Sequence, residues 1–202
     1  MKTARPLSGA QTRAIYKRIQ QAKNRDVSKI IAEGVLSALP TSSNLNNLYA
    51  TAWAAATQVN EHRYRRETDK WIHAHGKGGK AKVAKAANMT RSRDGAVHHA
   101  LIQAIIGRAF VVAKLPAKAA GDIIVDGKYV IECKRTLRER RRQIFADGAA
   151  PNAVAVGVLD AESGAAYCKQ HGAKLVICDP TSYAEHGHLP GVISLDQLLQ
   201  TL

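Results

Sequence analysis

The sequence predicts an α/β protein in which a mixed central sheet flanked by helices follows an N-terminal all-helical region. Two textures and the seam between them carry that prediction. Residues 8–75 repeat apolar side chains at helical spacing, whereas from Asp94 onward short β-branched runs alternate with helical stretches. Between them, "HGKGGKAKVAKAANMTRSR" is rich in Gly and Lys with weak periodicity, the composition of a flexible, positive connector. The boundaries read as 1–75 for the helical region, 76–93 for the connector and 94–202 for the α/β core. A length of 202 residues suits one domain with an appendage, or two small ones.

Each element has a local signal. Ser8 with Gln11 makes a capping box before "AIYKRIQQAK". Asp26 caps "VSKIIAEGVLSAL", where Val27, Ile30, Ile31 and Val35 recur at helical spacing, and Pro40 ends that helix. A long third helix starts near Ser43, carries Leu45, Leu48, Trp53 and Val59, and turns basic in "HRYRRETDKW". In the core, "GAVHHALIQAIIGR" is a helix closed by Gly107, "AFVVAKL" a strand and "DIIV" a second strand. Asp126-Gly127 is a two-residue hairpin turn leading into the strand "KYVIECK". Then come a helix in "LRERRRQIF", a strand in "AVAVGVL" and a helix in "AESGAAYCKQHG". "KLVICD" is expected as the last buried strand and "LDQLLQ" as a short helix after it.

Composition narrows the partners. The chain is 46% hydrophobic but only 5% aromatic, so its helices should pack closely through alanine. The net charge is +14, which calls for a polyanionic partner. Residues 1–95 carry 18 Lys/Arg against 6 Asp/Glu, and residues 96–145 carry 10 against 4. Residues 146–202 reverse the sign, with 2 against 6, and read as scaffold. Nucleic acid fits this field better than an anionic membrane, because no basic amphipathic stretch has a large aromatic or leucine face. No run approaches the ~18 apolar residues of a membrane span. "MKTARPLSGAQTR" is not followed by the apolar stretch of a secretory signal, so a cytoplasmic, nucleoid-associated protein is expected. Three well-spaced cysteines, Cys133, Cys168 and Cys178, read as reduced core thiols.

The informative stretch is "GDIIVDGKYVIECKRT", which sets three charges inside apolar strands. Alternation puts Val130, Glu132 and Lys134 on one face of their strand, and Tyr129, Ile131 and Cys133 on the other. Counting back from a two-residue turn sets Val125 opposite Lys128 and Asp122 opposite about Ile131, bringing Glu132 and Lys134 near Asp122 on a diagonal. Two chemistries fit. Two carboxylates and a backbone carbonyl are hard oxygen ligands for Mg²⁺, beside a lysine able to orient water or stabilise developing charge. A cross-strand salt bridge on a solvated edge fits equally well.

"GD-x9-ECK" resembles the PD-(D/E)XK motif of restriction endonucleases and Holliday-junction resolvases. That motif has an acid at the start of one strand and, about ten residues on, Glu-x-Lys on the next. Asp122 and Glu132 are 10 apart, Lys134 follows two later, and a helix, strand and loop precede while a basic helix follows. "GAVHHALIQAIIGRAFVVAKLPAKAAGDIIVDGKYVIECKRT" looks most like the resolvase-type core, and the resemblance covers about residues 94–180. It implies a restriction-endonuclease-like fold and a nuclease that cuts DNA with Mg²⁺, for which Mn²⁺ would substitute. Asp122, Glu132 and the main-chain carbonyl of Cys133 would hold the metal, and Lys134 would be the catalytic lysine. The chain departs from the pattern twice. Gly121 stands where the proline is usual, and the first helix lacks the frequent glutamate, offering His99, with His98 beside it, about where that acid would fall. His99 as a catalytic group and His99 as a packed core histidine both remain open, as do Glu67, Asp69 or Asp94 as the missing acid.

The basic residues then divide by place. Arg135, Arg138, Arg141 and Arg142 follow the site directly and suit phosphate contacts. Arg63, Arg65 and Arg66 flank Tyr64 in the third helix, and Lys77, Lys80 and Lys82 lie in the connector. "GKGGKAK" is not a P-loop, since Ala81 stands where Ser or Thr is required. The resemblance implies a DNA-cutting homodimer of the junction-resolving or recombination and repair type, with the N-terminal region binding DNA or dimerising. A restriction-type enzyme, an RNA-directed nuclease and a non-catalytic binding protein on the same fold are the alternatives.

Overall fold

The computed structural model describes residues 6–22, 26–42, 44–75, 94–116, 121–136, 151–158, 162–178 and 180–201. Contacts divide the chain into two compact units, one of Met1–Thr41 with Thr51–Leu101 and one of Ser42–Ala50 with Ile102–Leu202. The basic connector and the "LRERRRQIF" segment lie outside the described residues, so the readings placed on them do too.

In the first unit, helix α1 (Gly9–Gln21) opens on the expected capping box: Gln11 N–H donates to Ser8 Oγ and Ser8 N–H to Gln11 Oε1. The Asp26 carboxylate caps α2 (Val27–Ala38) by accepting from the amides of Ser28 and Lys29. That helix stops because Leu39, preceding Pro40, is extended, as steric conflict with a proline ring demands. Helix α3 (Leu45–His75) starts at Asn44, whose side chain accepts from Asn47 N–H. Alanine packing is as composition predicted: Ala52, Ala55, Ala56 and Val59 of α3 are wholly buried. A Cβ on Gly34 of α2 would meet Ile15 of α1 at 3.0 Å, so these two helices approach closely. A fourth helix, α4, spans residues 94–106 and ends before Gly107.

The second unit holds a six-stranded mixed sheet in the order of the chain. Its strands are β1 (Val112–Lys114), β2 (Ile123–Val125), β3 (Tyr129–Thr136), β4 (Ala153–Val158), β5 (Leu175–Cys178) and β6 (Val192–Ser194). β1, β2 and β3 pair antiparallel, while β3 through β6 pair parallel. Helix α5 (Glu162–Gln170) links β4 to β5, α6 (Pro180–His186) links β5 to β6, and α7 (Leu195–Thr201) follows β6. Val154, Val176 and Val192 pack with Ala165 and Cys168 of α5 and with Ala173, and Tyr183 and Leu189 close the cluster. Cys133 and Cys168 are buried and form no disulfide, in keeping with the reduced-core reading.

Three sequence expectations need correction. The "AFVVAKL" strand shrinks to three residues, because an outer strand with only one neighbour gains little from extension. "KLVICD" is not the last strand: β6 pairs beyond it, and at three residues it is too short to show a period. The hairpin loop has three residues rather than two, since Val125 pairs with Tyr129. Asp126 and Gly127 both have positive φ, of 48° and 69°, and Lys128 is the extra residue. Asp126 also holds β1 in place, accepting from Val111 N–H at 2.9 Å and donating its own N–H to Val111 C=O.

Candidate active site

The hairpin is anchored through one face. Ile123, Val125 and Ile131 are almost wholly inaccessible, and burying each such side chain contributes about 1.5–3 kcal/mol. That anchorage leaves the opposite face of β3 free to carry charge. Val130, Glu132 and Lys134 occupy it, and the Lys134 ammonium is ion-paired to Glu132 Oε1.

Asp122 reaches the same place by a β-bulge. Ile123 is paired with Ile131, yet Asp122 N–H also donates to Ile131 C=O, so two residues of the incoming segment oppose one on β3. Gly121 makes this approach possible: a Cβ there would meet Val130 Cγ1 at 2.6 Å and Ile131 O at 3.1 Å. The glycine at position 121 therefore has a local reason. With the ladder interrupted, the Asp122 carboxylate takes the vacated backbone position and accepts from Cys133 N–H at 2.9 Å. A strand residue points its N–H and C=O to the same edge, so the Cys133 carbonyl also faces the side on which Asp122 lies.

The solvated-edge alternative fails on burial and on topology. β3 is bonded on both sides, by β2 and β4, and Glu132 is only 8% exposed. Burial pushes the Glu132 carboxyl above its usual range; the Lys134 hydrogen bond opposes that, and the nearby Asp122 charge reinforces it. Burial foremost, with Asp122 and Glu132 adding to it, drives the Cys133 thiol far up, so this cysteine is an inert packing group rather than a nucleophile. Two facing carboxylates, one largely stripped of water, form a donor set that fits a hard divalent cation, which would offset both charges. Among the described residues no group of three or more His, Cys, Asp or Glu side chains converges for a metal, so such an ion would depend on main-chain and water oxygens as well.

His99 lies half-buried on α4 within the helical unit, and its neighbour His98 is fully buried with its ring 6.3 Å, edge-on, from Trp53. Of the alternative acids, Glu67 is bound to Arg63 at 2.6 Å and Asp94 accepts from Asn60, while Asp69 is exposed. Arg63 is thus engaged within α3; Arg65 stands 4.0 Å from Glu61, and Arg66 is exposed. Arg135 lies on β3, whereas Arg138, Arg141, Arg142, Lys77, Lys80 and Lys82 lie outside the described residues. Sequence reasoning missed Asn152, whose side chain accepts from Val130 N–H at 2.7 Å and ties the start of β4 to the charged strand. A lone Asn before a strand carries no signal of that reach. No helix among the described residues is long and apolar enough to cross a membrane.

Comparison with known proteins places the fold. No family model matches the chain, and no curated protein does. A solved structure described as metal-depleted Ecl18kI in complex with uncleaved, modified DNA is similar over 96% of this chain and 83% of its own, with a TM-score of 0.60 and 13% identity. The chain has the restriction-endonuclease-like α/β fold, with a mixed six-stranded sheet and an N-terminal helical region.

Proposed function

We propose that this protein is a metal-dependent endonuclease that hydrolyses DNA phosphodiester bonds. The observation that carries the reading is the meeting of Asp122, Glu132 and Lys134 at the bulged end of the β2–β3 hairpin. Asp122, Glu132 and the Cys133 carbonyl would hold Mg²⁺, or Mn²⁺ in its place. When bound, such an ion supplies a water of lowered pKa and a Lewis acid for the phosphoryl oxygen. The chain's own residues do the rest. Lys134, held at the carboxylate pair by Glu132, orients the attacking water or takes up charge developing on the phosphate. His99 is proposed as the residue standing in for the missing helix acid. Arg135 with the arginines after it, Arg65 and Arg66 on α3, and the connector lysines supply phosphate contacts.

Two substrate classes are separable. The motif and its flanking order resemble junction-resolving nucleases, which favours a branched DNA in recombination or repair. The Ecl18kI structure of similar fold holds DNA, which favours a restriction-type duplex cutter. One site cuts one strand, so cutting either substrate on two strands favours a homodimer. The test incubates the protein with plasmid, a four-way junction and tRNA, in Mg²⁺ or EDTA, beside Glu132→Ala and Lys134→Ala. Metal-dependent DNA cleavage lost in both variants is expected. Binding without cleavage under every divalent metal would leave a non-catalytic binding protein, and cleavage of tRNA alone an RNA-directed one.

A further inference from the structure

A second cluster of charge lies within the helical unit. The His62 ring of α3 packs edge-on against Tyr16 of α1, with ring centroids 5.2 Å apart. That contact fixes which faces of the two helices meet. Arg13 lies three residues before Tyr16, while Arg65 and Arg66 lie three and four after His62, so helical spacing turns all of them toward the same seam. Arg13, Arg65 and Arg66 are exposed. Among the described residues Arg13 and Arg66 have no carboxylate within ion-pair distance, and Arg65 has only Glu61 at 4.0 Å. Three guanidiniums thus converge on one half-buried imidazole with a single distant acid to balance them.

We infer that Arg13, His62, Arg65 and Arg66 form a phosphate-binding patch that grips the nucleic-acid backbone through the helical unit. The inference rests on the proposed DNA-directed function and adds Arg13 and His62, which sequence spacing alone does not connect. A phosphate of the nucleic-acid backbone is the occupant this chemistry favours, because residues 1–95 hold the chain's main positive surplus and the patch presents planar, exposed guanidiniums. The state of His62 agrees. Burial, and then Arg66, Arg13 and Arg65, push its pKa below the ordinary imidazole value, while Tyr16 on α1 packs against the ring and Glu61, its chain neighbour on α3, stands 4.0 Å from Arg65. A phosphate among the guanidiniums cancels their repulsion and raises that pKa, so binding takes up a proton and strengthens as pH falls.

The test uses the full chain with a labelled DNA duplex in EDTA, so that no cutting occurs. Arg13→Gln and Arg66→Gln, both at exposed positions, should each weaken binding about 8-fold at ~0.1 M salt and reduce the salt slope by about one. In the wild type, the His62 imidazole resonance should titrate at higher pH with duplex than without, a readout that needs no variant. Unchanged binding and an unmoved His62 titration in a protein that still cleaves DNA would overturn the patch and leave the nuclease reading intact. Absence of both DNA binding and cleavage would overturn the two together. Equal retention of anionic vesicles and duplex would also overturn it, since the patch would then not be selective for nucleic acid.

Discussion

One row of side chains crosses the sheet from Glu132 on β3 through Val154 and Val176 to Val192 on β6. Three members are valines sealed under α5 and its neighbours; the fourth is a carboxylate. The same backbone and the same face thus serve two purposes. In the parallel half, the row is plain scaffold, and in the antiparallel half it holds a buried acid whose charge is answered, among the described residues, by Lys134. Ion pairs in such settings contribute little net stability, because desolvation offsets most of the Coulomb gain. On the proposed function, the charged end is a cost carried for chemistry rather than part of what holds the fold.

Breaking that difference in either direction gives measurable outcomes. Val176→Glu, two strands away from Lys134, would put a second carboxylate into the row at its valine cluster, at a cost of about 3–5 kcal/mol. Urea unfolding should show a large drop in the midpoint. The opposite change, Glu132→Leu with Lys134→Met, makes the charged end resemble the scaffold. It should leave stability unchanged or raise it by ~1–4 kcal/mol while abolishing cleavage. A double variant that is strongly destabilised would show the pair to be structural.

Gly121→Ala attacks the bulge that delivers Asp122. The clash with Val130 and the Ile131 carbonyl should cost ~1–3 kcal/mol and lower the rate of cleavage, with Ser at the same position behaving alike. Titration gives the smallest effect. Because the folded-state pKa of Glu132 is raised, the unfolded chain ionises first, and the folded state loses stability as pH climbs through the elevated range. Wild type and Glu132→Gln should therefore differ in the pH dependence of their urea midpoints, with wild type falling relatively as pH rises. Cleavage should instead decline as pH drops through that range, because the ionised carboxylate is needed.

Much of this was readable in the chain, for reasons that differ from element to element. Ser8, Asp26 and Pro40 act within a turn of themselves, so their effects follow from neighbours in sequence. The hairpin is more instructive. Counting from the turn pairs Asp122 with Ile131, and in the structure Asp122 N–H does bond the Ile131 carbonyl, although Val125 faces Tyr129 rather than Lys128. Lys128 adds a residue on one strand at the turn, and the bulge at Asp122 adds one on the other, so the two departures cancel. Neither is visible in hydrophobic alternation, which reports faces but not local insertions. β6 escaped because three residues show no period, and Arg13 could not be tied to His62 until the Tyr16 contact set the seam between α1 and α3.

The meeting of two helix starts has a consequence in time. Asp196 at the head of α7 accepts from Leu45 N–H at 2.6 Å, and Asn46 in turn accepts from Leu195 N–H at 2.9 Å. Each helix satisfies an amide that the other cannot satisfy itself, across 151 and 149 positions of chain. Before α7 docks, water answers the amides at the head of α3, and docking replaces that water with the Asp196 carboxylate. The first turn of this helix is thus closed only when segments far apart in sequence have met.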